Sequence, residues 1–111
     1  KWGIPIFPGA FSPLEIYTAS KYGATGVKVF PANHLGPSYI KDVLAPFQHL
    51  KLYPTGGVNL ENISAYFKAG AKGLGMGGTL FLASLLETKD YENLGLHFEK
   101  VALAINNAKS R

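Results

Sequence analysis

Cysteine is absent from the 111 residues. That excludes a disulfide framework, a thiolate nucleophile and a Cys-ligated zinc, and it fits a reducing, cytoplasmic setting. Charge is sparse, at 16% of residues against 47% apolar, so the chain reads as globular rather than disordered. No apolar run approaches the about 20 residues needed to cross a bilayer, and no membrane span is expected. The net charge is +4, yet the ten lysines are scattered from Lys1 to Lys109. Without a dense basic patch and interleaved aromatics, nucleic acid is not an expected partner. A modestly basic surface and a site for a small anionic substrate both fit this charge. His34, His49 and His97 lack metal-ligand spacing and read as surface or turn residues, so no metal site is expected. His34 alone lies close in sequence to the lysine discussed below.

The length suits one domain, or a piece of a larger one. The chain does not open on methionine, and Lys1-Trp2-Gly3 leads into a strand-like run without a signal-peptide pattern. The expectation is a fragment, a processed product or a half-barrel.

Thirteen glycines and seven prolines punctuate the apolar runs. Strand-like segments begin near Ile4 (IPIF), Val27 (VKVF), Leu50 (LKLY) and Gly73 (GLGMG), at regular intervals. Helical patterns fill the gaps. The first opens with Ser12-Pro13-Leu14-Glu15, a capping box with proline at the first helical position, and Gly23 marks its end. The second covers Pro37 to Leu44, with Pro46 beyond it. The third has Asn59 as cap, an apolar face of Leu60, Ile63 and Phe67, and Gly70 past its end. A short helix is expected over Thr79 to Leu86. A long one runs from Tyr91 to Ala108, with Leu94, Phe98, Val101, Ile105 and Ala108 at helical spacing.

Strands alternating with helices imply a parallel sheet with right-handed crossovers. A small open α/β sheet fits, and so does half of a (β/α)8 barrel, whose full form runs to roughly 200–250 residues. Proline or glycine follows every strand-like run, at the end where α/β folds place ligands.

Within 27-VKVFPA-32, Lys28 and Phe30 share one strand face, and Val27 and Val29 the other. If the valines pack under helices, Lys28 points into the barrel. Loss of solvation there favours the neutral amine, which attacks ketones and forms a Schiff base. The alternative is a lysine that snorkels to solvent from a strand end. Thr55-Gly56-Gly57 and Gly77-Gly78-Thr79 each follow a strand and lead toward a helix. Bare glycine backbone lets N–H groups converge on an oxyanion, helped by helix N-termini; tight turns alone would also use these residues. Glu15 reads as a cap and Glu61 as a first-turn acid. No carboxylate falls at a strand end, so no general base is visible.

Taken together, 4-IPIFPG-9, 26-GVKVFPA-32, 54-PTGGV-58 and 77-GGTLF-81 resemble the C-terminal half of the 2-keto-3-deoxy-6-phosphogluconate aldolase family, also active on 4-hydroxy-2-oxoglutarate. The resemblance implies a class I, pyruvate-dependent aldolase needing no metal or organic cofactor, on a (β/α)8 barrel that is usually a homotrimer. It makes residues 1–111 a single unit: an α/β chain forming the C-terminal half, four βα units, of a TIM barrel. Lys28 would be the Schiff-base lysine. Phe30 would pack against the pyruvyl portion, and Pro31 and Thr55 would join it in binding the substrate. Gly56, Gly57, Gly78 and Thr79 would hold the phosphate of a 2-keto-3-deoxy sugar acid. The family commonly has serine where Thr79 stands, and often glutamate at Asn33. Its first four strands carry a proton-shuttling glutamate and an arginine and threonine for the substrate carboxylate, none of which falls in these residues. Turnover by this chain alone is therefore not expected. A phosphate-binding half-barrel without turnover is the rival reading. A ribulose-phosphate-type barrel would share the glycine loops but has no use for the lysine strand.

Overall fold

A computed structural model of the chain describes residues 3–110; Lys1 and Trp2, expected just ahead of the first strand, lie outside it. Eight elements follow in order: β1 (Gly9–Ala10), α1 (Pro13–Lys21), β2 (Val27–Val29), α2 (Gly36–Leu44), β3 (Leu52–Pro54), α3 (Ile63–Lys68), α4 (Ala83–Glu87) and α5 (Tyr91–Lys109). The strands form one parallel sheet in the order β1-β2-β3. Gly9 pairs with Lys28, and Lys28 in turn with Tyr53.

The expected alternation of β2 holds. Val27 and Val29 are buried, while Lys28 is exposed. Leu52 and Pro54 are buried on the valine side of the sheet. Ile16 of α1, Ile40 and Val43 of α2, Ile63 and Tyr66 of α3 and Val101 of α5 complete that core.

The outer two strands are shorter than the sequence suggests. Ile4, Ile6 and Phe7 are exposed, and the first strand is assigned at Gly9–Ala10 rather than over IPIF. Pro5 and Pro8 have no N–H to give the ladder. The carbonyls of Ile6, Pro8 and Ala10 still accept from Thr25, Lys28 and Phe30, at 2.9, 2.9 and 3.2 Å. The run therefore lies in register but gives few bonds back. The fourth strand is reduced to one bridge, Thr55 with Gly75, supported by Gly75 N–H donating to the Pro54 carbonyl at 2.9 Å.

Helix α1 begins as its sequence dictates. The Ser12 hydroxyl accepts from Glu15 N–H, and Glu15 Oε1 accepts from Ser12 N–H at 2.9 Å. The Ser12 hydroxyl also donates to Glu15 Oε1 at 2.8 Å, and the bonds from the Ser12 N–H first and its hydroxyl second hold the Glu15 carboxyl below its ordinary range. Helices α1 and α3 end at Gly23 and Gly70 as expected, with paired backwards hydrogen bonds: Gly23 to Ser20 and Ala24 to Ala19, Gly70 to Phe67 and Ala71 to Tyr66. Helix α3 starts later than expected. Asn59 and Asn62 bond each other's backbone in a preceding turn, so Leu60 is exposed and the buried pair is Ile63 and Tyr66.

Across the other sheet face, the Tyr53 ring lies between Gly26 and Gly73. A Cβ on Gly26 would stand 2.3 Å from one ring edge, and one on Gly73 would stand 2.5 Å from the opposite edge. Phe7 meets the ring edge-on, with centroids 5.1 Å apart.

Two outcomes follow. Gly26→Ala should cost about 1–3 kcal/mol by overpacking, and Tyr53→Leu in the same chain should remove most of that penalty, read by a urea-denaturation cycle. Glu15 binds its proton less tightly folded than unfolded, so its contribution is present above the ordinary 4.5 and lost as pH falls through the lowered value. The melting advantage over Glu15→Gln should shrink with acid in that window; a constant gap would show the carboxylate charge is idle.

Candidate active site

The uncovered sheet face carries Lys28, Phe30, Tyr53 and Thr55 by register and alternation. At its C-terminal end is an open depression of about 470 Å³ lined by Phe7, Gly9, Ala10, Phe11, Glu15, Lys28 and Phe30. Lys28 Nζ lies 5.1 Å from the Phe30 ring centroid, within range of the attraction between a ring face and an ammonium. The ring itself is 52% exposed. The sequence reading expected Lys28 to be desolvated. Instead it is exposed, in an open depression whose walls leave it in contact with solvent. Half-buried Pro31 follows Phe30.

The loops after β2 and β3 touch. Thr55 N–H donates to Val29 and the Thr55 carbonyl accepts from Ala32, both at 2.9 Å. Gly56 faces Phe30: a Cβ there would lie 3.7 Å from the ring. Gly57 has φ +69 and packs on Asn33, whose Cβ would stand 2.6 Å from a Cβ at Gly57. That position requires glycine on both counts. Gly78 differs, because an added Cβ meets nothing within 4 Å.

The two glycine turns are joined. The Thr79 hydroxyl donates to the Val58 carbonyl. Its hydrogen is thereby engaged, leaving the Thr79 backbone N–H as the residue's donor toward a ligand. No described residue accepts from the backbone N–H of Gly56, Gly57, Gly78 or Thr79. Four donors without partners thus lie in two connected turns. The helix N-termini expected beside them are displaced, since α3 and α4 start at Ile63 and Ala83. The donors belong to turns, not to first helical turns.

Sequence reasoning missed several residues. Glu15 was read only as a cap, yet it also lines the Lys28 depression. Tyr39 stacks on Phe11, with centroids 5.4 Å apart, and donates to the Phe11 carbonyl at 2.5 Å. Burial raises its phenol, with the Glu15 charge adding to that, so it stays a donor. His97, read as surface, is half-buried with Nε2 2.7 Å from the Thr79 carbonyl. Its spacing from Leu94 and Val101 on the apolar stripe of α5 was the available signal.

The family model for KDPG and KHG aldolase matches residues 1–96. The chain belongs to that family. It is 35% identical over 83 residues to the 2-dehydro-3-deoxy-6-phosphogalactonate aldolase of Escherichia coli, covering 74% of this chain and 40% of that protein. It is 36% identical over 93 residues to the 2-dehydro-3-deoxy-phosphogluconate aldolase of Haemophilus influenzae, covering 82% and 43%. The native KDPGal structure superposes with a TM-score of 0.75 at 29% identity, covering 97% of this chain and 49% of that one. The chain thus spans less than half the length of the curated relatives it matches, and its α/β fold is that of KDPG aldolase structures. No helix among the described residues is long and apolar enough to cross a membrane.

The two glycine turns should respond differently to a methyl group. Gly57→Ala combines a left-handed backbone with a collision and should cost about 1–3 kcal/mol, whereas Gly78→Ala should stay within about 0.5 kcal/mol of the parent. Equal urea midpoints for the two variants would contradict this geometry.

Proposed function

We propose that the chain carries the lysine and phosphate-binding part of a class I aldolase site, on the C-terminal half of a (β/α)8 barrel. Residues 1–111 form one such unit, with four βα repeats. The substrate is a phosphorylated 2-keto-3-deoxy sugar acid, the phosphogluconate form or its galactonate isomer, cleaved to pyruvate and glyceraldehyde 3-phosphate. 4-Hydroxy-2-oxoglutarate is a further substrate, giving pyruvate and glyoxylate. The whole enzyme is a homotrimer, as the family resemblance implies.

The observation that carries this reading is Lys28 beside Phe30 at the ligand end of the uncovered sheet face. The amine attacks the C2 ketone, and loss of water gives a protonated imine. A base outside these residues removes the C4 hydroxyl proton. The C3–C4 bond breaks, its electron pair enters the imine to give an enamine, and the aldehyde leaves. Protonation at C3 and hydrolysis release pyruvate and return the amine. Phe30, Pro31 and Thr55 border the pyruvyl portion. The backbone N–H groups of Gly56, Gly57, Gly78 and Thr79 receive the phosphate, for which their lack of other acceptors is the support. Glu15 is a poor candidate for the base, because Ser12 keeps its carboxyl weakly basic.

The rival, a phosphate-binding half-barrel without turnover, has one observation in its favour: Lys28 is exposed rather than desolvated. Borohydride trapping with pyruvate separates the two. The aldolase reading expects a pyruvyl adduct on Lys28 in the peptide map, lost in Lys28→Ala. Labelling spread over the surface lysines, or none at Lys28 in folded chain, would favour the module.

A further inference from the structure

The four loops at the ligand end share an arrangement. In each, a backbone carbonyl accepts a hydrogen bond from a side chain of the next unit along the chain. Phe11, after β1, accepts from Tyr39 of α2 at 2.5 Å. Ala32, after β2, accepts from Tyr66 of α3 at 3.4 Å. Val58, after β3, accepts from Thr79, and the Thr79 carbonyl is met by His97 of α5 at 2.7 Å. A carbonyl can only accept, so the last contact assigns a hydrogen to His97 Nε2.

We infer that Tyr39 and His97 are positioning residues for opposite halves of the site, Tyr39 for the lysine depression and His97 for the phosphate turn. The inference rests on the aldolase reading above and deepens it. Tyr39 grips Phe11 twice, through the stacked ring and through the carbonyl. Phe11 is a wall of the Lys28 depression and precedes the Ser12 cap that orients Glu15, another wall. Neither tyrosine contact reaches the glycine turns. His97 holds Thr79, whose hydroxyl holds Val58, so one imidazole fixes the turn carrying Gly78 and, through it, the turn carrying Gly57. Preorganised donors lose less freedom when they meet an anion. Tyr39 and His97 lie at opposite ends of this series of braces, so their effects should separate.

The test uses the full chain with Tyr39→Phe, His97→Leu and His97→Gln. Two readouts are taken: the rate of borohydride-trapped pyruvyl adduct at Lys28, and the affinity for inorganic phosphate by phosphorus NMR titration. Tyr39→Phe keeps the ring stack and should slow trapping about fivefold, the scale of one hydrogen bond, with phosphate affinity unchanged within about twofold. His97→Leu should weaken phosphate by about the same fivefold and leave trapping alone. His97→Gln, whose amide can donate in place of Nε2, should restore phosphate binding. Parallel loss of both readouts in either variant, no loss in either, or a glutamine variant that behaves like leucine would overturn the assignment. Loss of a cooperative melting transition in a variant also counts against it, since a positioning bond leaves the fold standing. An unchanged chain that is not trapped at Lys28 overturns the aldolase reading and the Tyr39 half with it. The His97 half is then judged by phosphate alone, and absence of phosphate binding overturns that half.

Discussion

Val27, Val29, Leu52 and Pro54 are buried under the helices, and their burial fixes the direction of every side chain that could do chemistry. Strand side chains alternate, so covering these four aims Lys28, Phe30, Tyr53 and Thr55 the other way. A one-residue slip of β2 would bury the ammonium and expose two valines, a change the core opposes strongly. The packing of Tyr53 between Gly26 and Gly73 adds a second restraint from the opposite face. A neighbouring register would bring a Cβ-bearing residue against the ring. The core and the glycine slot therefore specify the same pairing, and Lys28 emerges at the loop end of the sheet.

The loops inherit that register. Thr55 binds β2 and the Ala32 loop through its own backbone, which brings the Phe-Pro-Ala segment against the first glycine pair. Thr79 then ties the second pair to the first. The result is a lysine beside an aromatic ring and, along the same rim, four N–H groups with no acceptor among the described residues. Such groups are poised for an anion. What the arrangement lacks is cover. Phe7 and Phe30 line the lysine depression and are exposed, and Lys28 itself is exposed. Over these residues the architecture supplies positioning more fully than it supplies the environment for catalysis.

Much of this was legible beforehand, for identifiable reasons. The Ser12–Glu15 capping box, the Gly23 and Gly70 stops and the Val-Lys-Val alternation are local patterns, set by a few neighbouring residues. The outer strands misled because IPIF and GLGMG look like strands by composition, yet prolines remove ladder donors from the first and the fourth retains only one bridge. Asn59 looked like a helix cap because it does cap, but it caps a turn, and the buried face of α3 moved from Leu60 to Tyr66. The braces were hidden for another reason. Tyr39, Tyr66 and His97 sit on helices, and their acceptors lie 28, 34 and 18 residues away. Only the fold brings a phenol or imidazole to a distant carbonyl.

The most direct test of this account is a crystal structure of the chain reduced with borohydride in the presence of pyruvate and inorganic phosphate. The expected result is a pyruvyl group on Lys28 Nζ within the depression walled by Phe11 and Phe30, with phosphate on the N–H groups of Gly56, Gly57, Gly78 and Thr79. An adduct on another lysine, or a Lys28 side chain turned beneath the helices with the valines outward, would contradict it.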